Sequence, residues 1–194
     1  AALVRDYPIK SRIVIAHVRK ANRGKVALEN THPFTRELWG RAWTFAHNGQ
    51  LKGVKQLPLG RFSPIGTTDS EHAFCVVLGR LSAKWDDYPT AAALDCEVRK
   101  LFAEMRGLGV FNALLTDGRS LYASCGKRLC YLTRRAPFGK ASLLDEDMQV
   151  DFSAETTSSD VVTIIATRPL TKDENWTIVA PETTLILRDG EVKA

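Results

Sequence analysis

The hydrophobic pattern of the chain changes abruptly near residue 109, and this change indicates the fold class. Before it, apolar residues recur at helical spacing after a polar stretch in which Thr67, Thr68 or Asp69 can cap a helix. The residues predicted on the buried face of this first helix are Ala73, Phe74, Val77, Leu78 and Leu81. A second helix is predicted over about 93–108, with an apolar face formed by Leu94, Val98, Leu101, Phe102 and Met105.

Short apolar runs follow the two helices and predict antiparallel strands. The runs 110–116 and 120–125 flank Asp117-Gly118, a two-residue hairpin signal. Further strands are predicted at 11–18, 129–134, 160–167 and 183–187. Of these, 11–18 is expected to be buried and 160–167 strongly buried. Helices followed by a strand meander indicate an α+β fold with helices on the sheet faces, in one domain spanning 1–194.

A further strand, 39–46, is predicted to stop at Asn48-Gly49, because Asn-Gly is a strong turn signal. Such a turn can point two donors outward, the side-chain amide of Asn48 and the backbone N–H of Gly49. Two donors aimed at one point form an oxyanion hole if an acyl group reacts there. Most Asn-Gly pairs are hairpin turns only, so the pair by itself leaves both interpretations open.

Two charged residues beside predicted element ends are candidate ligand groups. Arg19 directly follows the predicted strand 11–18, and its guanidinium fork suits a carboxylate. A solvated strand-end arginine is the alternative for Arg19. Asp69, at the start of the first helix, is either a helix-cap carboxylate or a ligand group.

The composition, with 44% hydrophobic and 25% charged residues, is that of an ordinary globular protein. The net charge of +5 is spread along the chain without an aromatic-basic motif, which disfavours nucleic-acid binding. No apolar run is long enough to span a membrane, and the start lacks a signal-peptide pattern. The four cysteines and four histidines have neither disulfide nor metal-site spacing, which indicates reduced thiols in a cytoplasmic protein.

Four motifs in order resemble the class II glutamine amidotransferase domain, an N-terminal-nucleophile hydrolase, particularly its stand-alone bacterial members. They are IAHVRKANRG, ENTHPF, WTFAHNGQL and GTTDSEHAF. The resemblance implies a four-layer α/β/β/α sandwich of mostly antiparallel sheets. It further implies that Asn48 and Gly49 form the oxyanion hole, that Arg19 holds the substrate α-carboxylate and that Asp69 holds its α-ammonium group.

The resemblance also implies hydrolysis of glutamine, or of a γ-glutamyl compound, by an N-terminal cysteine, without metal or cofactor. Residue 1 is Ala, so we expect an upstream segment that bears the cysteine to be missing, and the 194 residues alone to be inactive. The alternative is a catalytically inert module that binds glutamine or docks on a partner. A protein partner, either a synthase or a peptidase, and homo-oligomerisation stay open.

Overall fold

A computed structural model of the protein describes residues 11–18, 27–144, 149–152 and 157–193. These described residues include two α-helices, α1 (Asp69–Lys84) and α2 (Ala91–Gly107). The strands are β1 (Phe34–Leu38), β2 (Arg41–Leu51), β3 (Gly109–Thr116), β4 (Leu121–Ser124), β5 (Cys130–Arg135), β6 (Lys140–Ser142), β7 (Gln149–Asp151), β8 (Val161–Ala166), β9 (Thr177–Ile178), β10 (Thr184–Arg188) and β11 (Glu191–Lys193). Two short 3-10 helices cover Leu28–Asn30 and Val54–Gln56.

The strands form three sheets, and every strand pair among the described residues is antiparallel. The largest sheet has six strands in the order β1-β2-β3-β4-β10-β11. A three-stranded sheet has the order β8-β5-β9, and β6 pairs with β7 alone. The predicted α+β class with mostly antiparallel sheets is therefore confirmed.

The two helices confirm the predicted buried faces. All ten apolar residues assigned to those faces are buried. Thr68 caps α1 by accepting a hydrogen bond from the backbone N–H of Glu71 at 3.1 Å, and Thr90 caps α2 in the same way. Of the three candidate caps of α1, the side chain of Thr68 is the one that caps it, which leaves the Asp69 carboxylate for other contacts.

The helices pack on one face of the six-stranded sheet, α1 against β1 and β2 and α2 against β3 and β10. This contact buries the main core, whose largest members include Trp43, Phe45, Phe74, Phe102 and Phe111. A smaller core on β4 and the segments that follow it joins the six-stranded to the three-stranded sheet. The described residues thus include a helical layer followed by two sheet layers, in which β2 lies directly beneath α1.

The predicted hairpin turn differs from the one observed. The β3–β4 loop has four residues, because Thr116 pairs with Leu121, and the predicted two-residue turn at Asp117-Gly118 is wrong. The carboxylate of Asp117 accepts hydrogen bonds from the backbone N–H groups of Arg119 and Ser120, and these bonds stabilise the four-residue loop. Two-residue loops occur instead between β1 and β2 and between β10 and β11.

Two strand predictions also need correction. Residues 11–18 form no strand, since they have no ladder partner among the described residues, and Val18 is 99% exposed. The predicted run 160–167 does contain β8, but none of the residues of β8 is buried. Among the described strands β8 pairs only with β5, so its apolar side chains line a cavity instead of a core. Apolar composition predicted the strand but not its place at a sheet edge.

Candidate active site

Asn48 and Gly49 lie inside β2 and not in a turn. Here β2 pairs with β3, with Asn48 opposite Asn112 and Gly49 opposite Phe111, and it ends only at Leu51. The predicted strand end is therefore wrong, because pairing with β3 outweighs the local preference of the Asn-Gly pair. The side chain of Asn48 is exposed and lines a cavity of about 1270 Å³.

Gly49 occupies a position where no side chain fits. A Cβ atom at this residue would lie 1.7 Å from the carbonyl oxygen of Val110 and 2.9 Å from Nε2 of His47. The glycine of the motif is therefore required by the close approach of β3 and of the His47 ring, and not by a turn conformation. This close packing fixes the backbone on which the candidate oxyanion donors are carried.

Asn112 fixes the same part of β2 from the neighbouring strand. Its Nδ2 donates to the carbonyl oxygen of Asn48 at 3.2 Å. Its Oδ1 accepts hydrogen bonds from the backbone N–H groups of Gly126, Lys127 and Arg128 at 3.0, 3.0 and 3.2 Å. Asn112 was not predicted as a site residue, and its one signal in the sequence is a polar side chain within an apolar strand.

Asp69 lies at the first residue of α1 and contacts the end of β2. Its Oδ2 accepts a hydrogen bond from the backbone N–H of Leu51 at 2.8 Å, and its Oδ1 accepts from that of Ser70 at 2.9 Å. The carboxylate is half-buried and does not line the cavity that Asn48 lines. The structure thus brings Asp69 to the same strand as Asn48, with Leu51 as the point of contact.

A buried histidine joins these two parts of the site. His47 Nδ1 lies 2.9 Å from Oγ of Ser70, and Nε2 lies 3.0 Å from the carbonyl oxygen of Val110. A carbonyl oxygen only accepts, so Nε2 carries the proton and Nδ1 accepts from the Ser70 hydroxyl. Burial lowers the pKa of His47, although the hydrogen bond to Val110 and the charge of Asp69 raise it in part.

Glu71, in the first turn of α1, organises the loop that leads to Asp69. It is buried and forms an ion pair with Arg36 at 2.5 Å. Its two oxygens also accept from the backbone N–H groups of Ile65 and Gly66 at 2.9 and 2.7 Å. Asn30, from the Glu-Asn-Thr-His-Pro-Phe motif, accepts from the next N–H along this loop at 2.9 Å. Two of the four motifs therefore meet around one loop.

Arg19, the fourth predicted site residue, lies outside the described residues, as do residues 20–26. The segment before it, 11–18, runs along the cavity and contributes His17 to its lining. The ring centroids of His17 and His32 lie 4.4 Å apart. Positive charge on His17 also contributes to the lowered pKa of His47. The histidines of three motifs are thus gathered near the candidate site.

The cavity lies between the six-stranded sheet and β8. Its lining includes Asn48, Asn112 and Leu114 on one side and Val162 and Ile164 on the other. Apolar walls with a few polar groups are typical of sites that bind small molecules. The arrangement can hold a small acyl compound against the Asn48 amide.

Three of the four cysteines are unsuited to act as nucleophiles, and the fourth lies on the helical layer. Cys75, Cys125 and Cys130 are buried, and burial raises the pKa of each thiol, to about 11 for Cys75. Cys96 is exposed on α2, on the helical layer. Among the described residues there is no group of three or more His, Cys, Asp or Glu side chains that could hold a metal ion. No helix in the described part of the chain is long and apolar enough to cross a membrane.

Comparisons with known proteins give a consistent result. The family model described as "Glutamine amidotransferases class-II" matches residues 1–194. Two curated relatives are named "Putative glutamine amidotransferase". YafJ of Escherichia coli K12 is 58% identical over 182 residues, 93% of this chain and 71% of that protein. The protein of Haemophilus influenzae Rd is 42% identical over 191 residues, 98% of this chain and 65% of that protein.

A 2.0 Å crystal structure described as a "predicted glutamine amidotransferase from Pseudomonas aeruginosa PA01" has the same fold. It superposes with a TM-score of 0.83 at 51% sequence identity, over 92% of this chain and 70% of that one. The helix pair, the antiparallel sheets and this likeness define a domain of the N-terminal-nucleophile hydrolase fold. The chain belongs to the class II glutamine amidotransferases, and it spans 65–71% of the length of the relatives just described.

Proposed function

We propose that this domain hydrolyses the side-chain amide of glutamine, or of a γ-glutamyl compound, and releases ammonia. The observation that carries the proposal is the arrangement around β2. This strand holds the Asn48 amide at the cavity wall, and its last residue, Leu51, is hydrogen-bonded to the Asp69 carboxylate. An oxyanion donor on a strand and an acidic group bonded to the end of that strand suit the two ends of an amino-acid amide.

In this proposal Asn48 Nδ2 and the N–H of Gly49 donate to the oxyanion formed from the amide carbonyl. Asp69 binds the substrate α-ammonium group and Arg19 binds its α-carboxylate. The α-amino group of an N-terminal cysteine acts as the base and takes the thiol proton, and the thiolate attacks the amide carbon. The tetrahedral intermediate then collapses, and the leaving nitrogen takes this proton back from the ammonium group and departs as ammonia. Water then cleaves the thioester to give glutamate, or the corresponding γ-carboxylate, and frees the thiol.

The nucleophile in this scheme is a cysteine at the start of a longer form of the chain, with its own α-amino group as base. Two observations support a nucleophile outside the 194 residues. The relatives are longer than this chain, and three of the four thiols here are buried with raised pKa values. Free thiols are also the normal state of cysteines in the cytoplasm, where we expect the protein to reside.

The same thiols support a second candidate function, a catalytically inert module that binds glutamine or docks on a partner. Such a module uses Arg19 and Asp69 for binding and has no turnover. The two candidates differ in one property, the covalent reactivity of the natural chain toward a glutamine analogue.

The deciding experiment uses the full-length natural protein and a diazo-ketone analogue of glutamine. Intact mass is measured before and after incubation, and ammonia release from glutamine is followed in parallel. We expect one adduct on an N-terminal cysteine. We also expect Asn48→Ala to lower kcat by about 10²–10³-fold, because one oxyanion donor is lost.

Asn175→Ala is the matched control, since Asn175 is an exposed asparagine outside the candidate site. It should keep the wild-type rate. A full-length protein that forms no adduct and releases no ammonia would favour the inert module. A wild-type rate in Asn48→Ala would contradict the assigned oxyanion hole.

A further inference from the structure

A two-sided hydrogen bond holds the His47 ring between α1 and β3. The ring accepts from the Ser70 hydroxyl at 2.9 Å and donates to the carbonyl oxygen of Val110 at 3.0 Å. His47 is 3% exposed and Ser70 is 5% exposed, so water does not compete for the bond between them. A buried ring with both nitrogens bonded has one orientation.

The bridge touches both halves of the candidate site. The ring lies over Gly49, where an added Cβ would be 2.9 Å from Nε2, so it sets how closely this part of β2 approaches β3. At the other end, Ser70 follows Asp69 directly, and its backbone N–H donates to the Asp69 carboxylate at 2.9 Å. A shift of the ring therefore moves the donors on β2 relative to the start of α1, where the Asp69 carboxylate keeps its bond to Leu51.

We propose that the His47–Ser70 bridge fixes the Asn48-Gly49 donors relative to the start of α1, and so positions the reacting carbonyl of the substrate. His47 is then a positioning residue that touches no reacting atom. This inference rests on the proposed amide hydrolysis, because it assigns a role within the same site. Positioning matters in such a site, since a misplacement of about 1 Å can lower a rate by about 10²-fold.

The test compares two variants of the bridge with two matched controls in the full-length natural protein. The bridge variants are His47→Gln and Ser70→Ala. The controls are His72→Gln and Ser82→Ala, both on α1, the helix that carries Ser70. They are suitable because each side chain makes a hydrogen bond outside the bridge, His72 to the carbonyl oxygen of Leu57 and Ser82 to that of Gly79. The parameters kcat and KM for glutamine are measured per mole of folded protein, determined by near-ultraviolet circular dichroism.

We expect each bridge variant to lower kcat by about 10–100-fold, with KM within about threefold, since Leu51 still holds Asp69. The double variant should lose no more than either single variant, because both substitutions break one bridge. The controls should keep kcat within about twofold. Bridge variants that match the controls, or losses that multiply in the double variant, would overturn the positioning role.

A second measurement does not depend on turnover. In ¹H–¹⁵N spectra of wild-type protein, the His47 ring should be protonated at Nε2 and unprotonated at Nδ1 at neutral pH. A ring protonated at Nδ1 alone would overturn the bridge itself. If the wild-type protein released no ammonia, the proposed function would fail and this role with it. Active wild type with unaffected bridge variants would remove the positioning role alone.

Discussion

The carboxylate of Asp69 accepts a hydrogen bond from the backbone N–H of Leu51 at 2.8 Å, so the first residue of α1 is joined to the last residue of β2. The other oxygen accepts from the N–H of Ser70. An ionised carboxylate has about four acceptor sites, and these two bonds occupy two of them. The remaining sites can receive an ammonium group while the carboxylate keeps its place.

Asp69→Asn should therefore separate charge from position. The asparagine oxygen can keep one of the two backbone bonds, so we expect a loss of about 1 kcal/mol in the free energy of unfolding. The charge that we propose binds the substrate ammonium group is lost, and KM for glutamine should then rise by about 10–100-fold. Steady-state kinetics and urea unfolding of the full-length protein measure the two effects. An unchanged KM would show that Asp69 has a structural role only.

Gly49→Ala should be strongly destabilising. The new methyl group would lie 1.7 Å from the carbonyl oxygen of Val110, so β2 and β3 must separate locally. We expect a loss of about 2–4 kcal/mol in the free energy of unfolding. The control is Gly107→Ala, at the end of α2, where a Cβ meets no atom within 4 Å. This variant should be neutral or slightly more stable, and equal losses in both would contradict the packing argument.

Glu71→Gln should destabilise the protein by about 3 kcal/mol, because it leaves Arg36 without its buried anionic partner. The matched control is Glu104→Gln, which breaks the ion pair with Arg80 on the surface. The Glu71 side chain is 1% exposed and that of Glu104 is 54% exposed, so the control should change stability by less than about 1 kcal/mol. Urea unfolding measures both, and a loss in Glu71→Gln no larger than that of the control would contradict the prediction.

Asn112→Ala should release the segment that follows β4. Three backbone N–H groups lose their common acceptor, and we expect a loss of about 2 kcal/mol in the free energy of unfolding. Amide hydrogen exchange should accelerate at Gly126, Lys127 and Arg128 before other parts of the sheet. Asn175→Ala is again the control and should leave these amides protected. Unchanged exchange in Asn112→Ala would mean that other contacts hold the segment.

The lowered pKa of His47 predicts how stability depends on pH. Below about pH 6.5 the unfolded chain binds a proton at this residue that the folded protein does not, so folding stability falls as the pH falls. The decline ends once the pH is below the folded pKa. His47→Gln removes this contribution. The free energy of unfolding of the wild type should therefore approach that of His47→Gln as the pH is lowered from about 7.5 to about 5. Urea unfolding measures both, and a difference that stays constant over this range would contradict the prediction.

The helices were predictable because their apolar residues recur with the period of the helix itself, and the caps lie next to them in sequence. Strand ends depended on partners far away in the chain. β2 passes through Asn48-Gly49 since β3, about 60 residues later, pairs with it. β1 was missed because Trp39, not Asn or Asp, adopts the positive φ of the two-residue turn. Contacts of its ring with Trp43 and Tyr88 accompany that conformation.

The candidate site was predictable only as far as its motifs. Asn48, Gly49 and Asp69 belong to motifs that can be recognised in the sequence, and the structure puts Asp69 next to the end of the Asn48 strand. The residues that fix them, Asn112 and Ser70, act through the pairing of β2 with β3 and the packing of α1 on β2. Neither relationship has a local sequence signal.

The distribution of the cysteines has a practical consequence for spectroscopy. Three of the four sulfurs are buried with raised pKa values, while Cys96 is exposed on α2. Near neutral pH an alkylating reagent should therefore find Cys96 first in the 194 residues. A fluorophore or spin label attached there would sit on the helical layer, away from the cavity beside β8. The chain thus offers a native attachment point from which motions of the candidate site can be followed without a substitution.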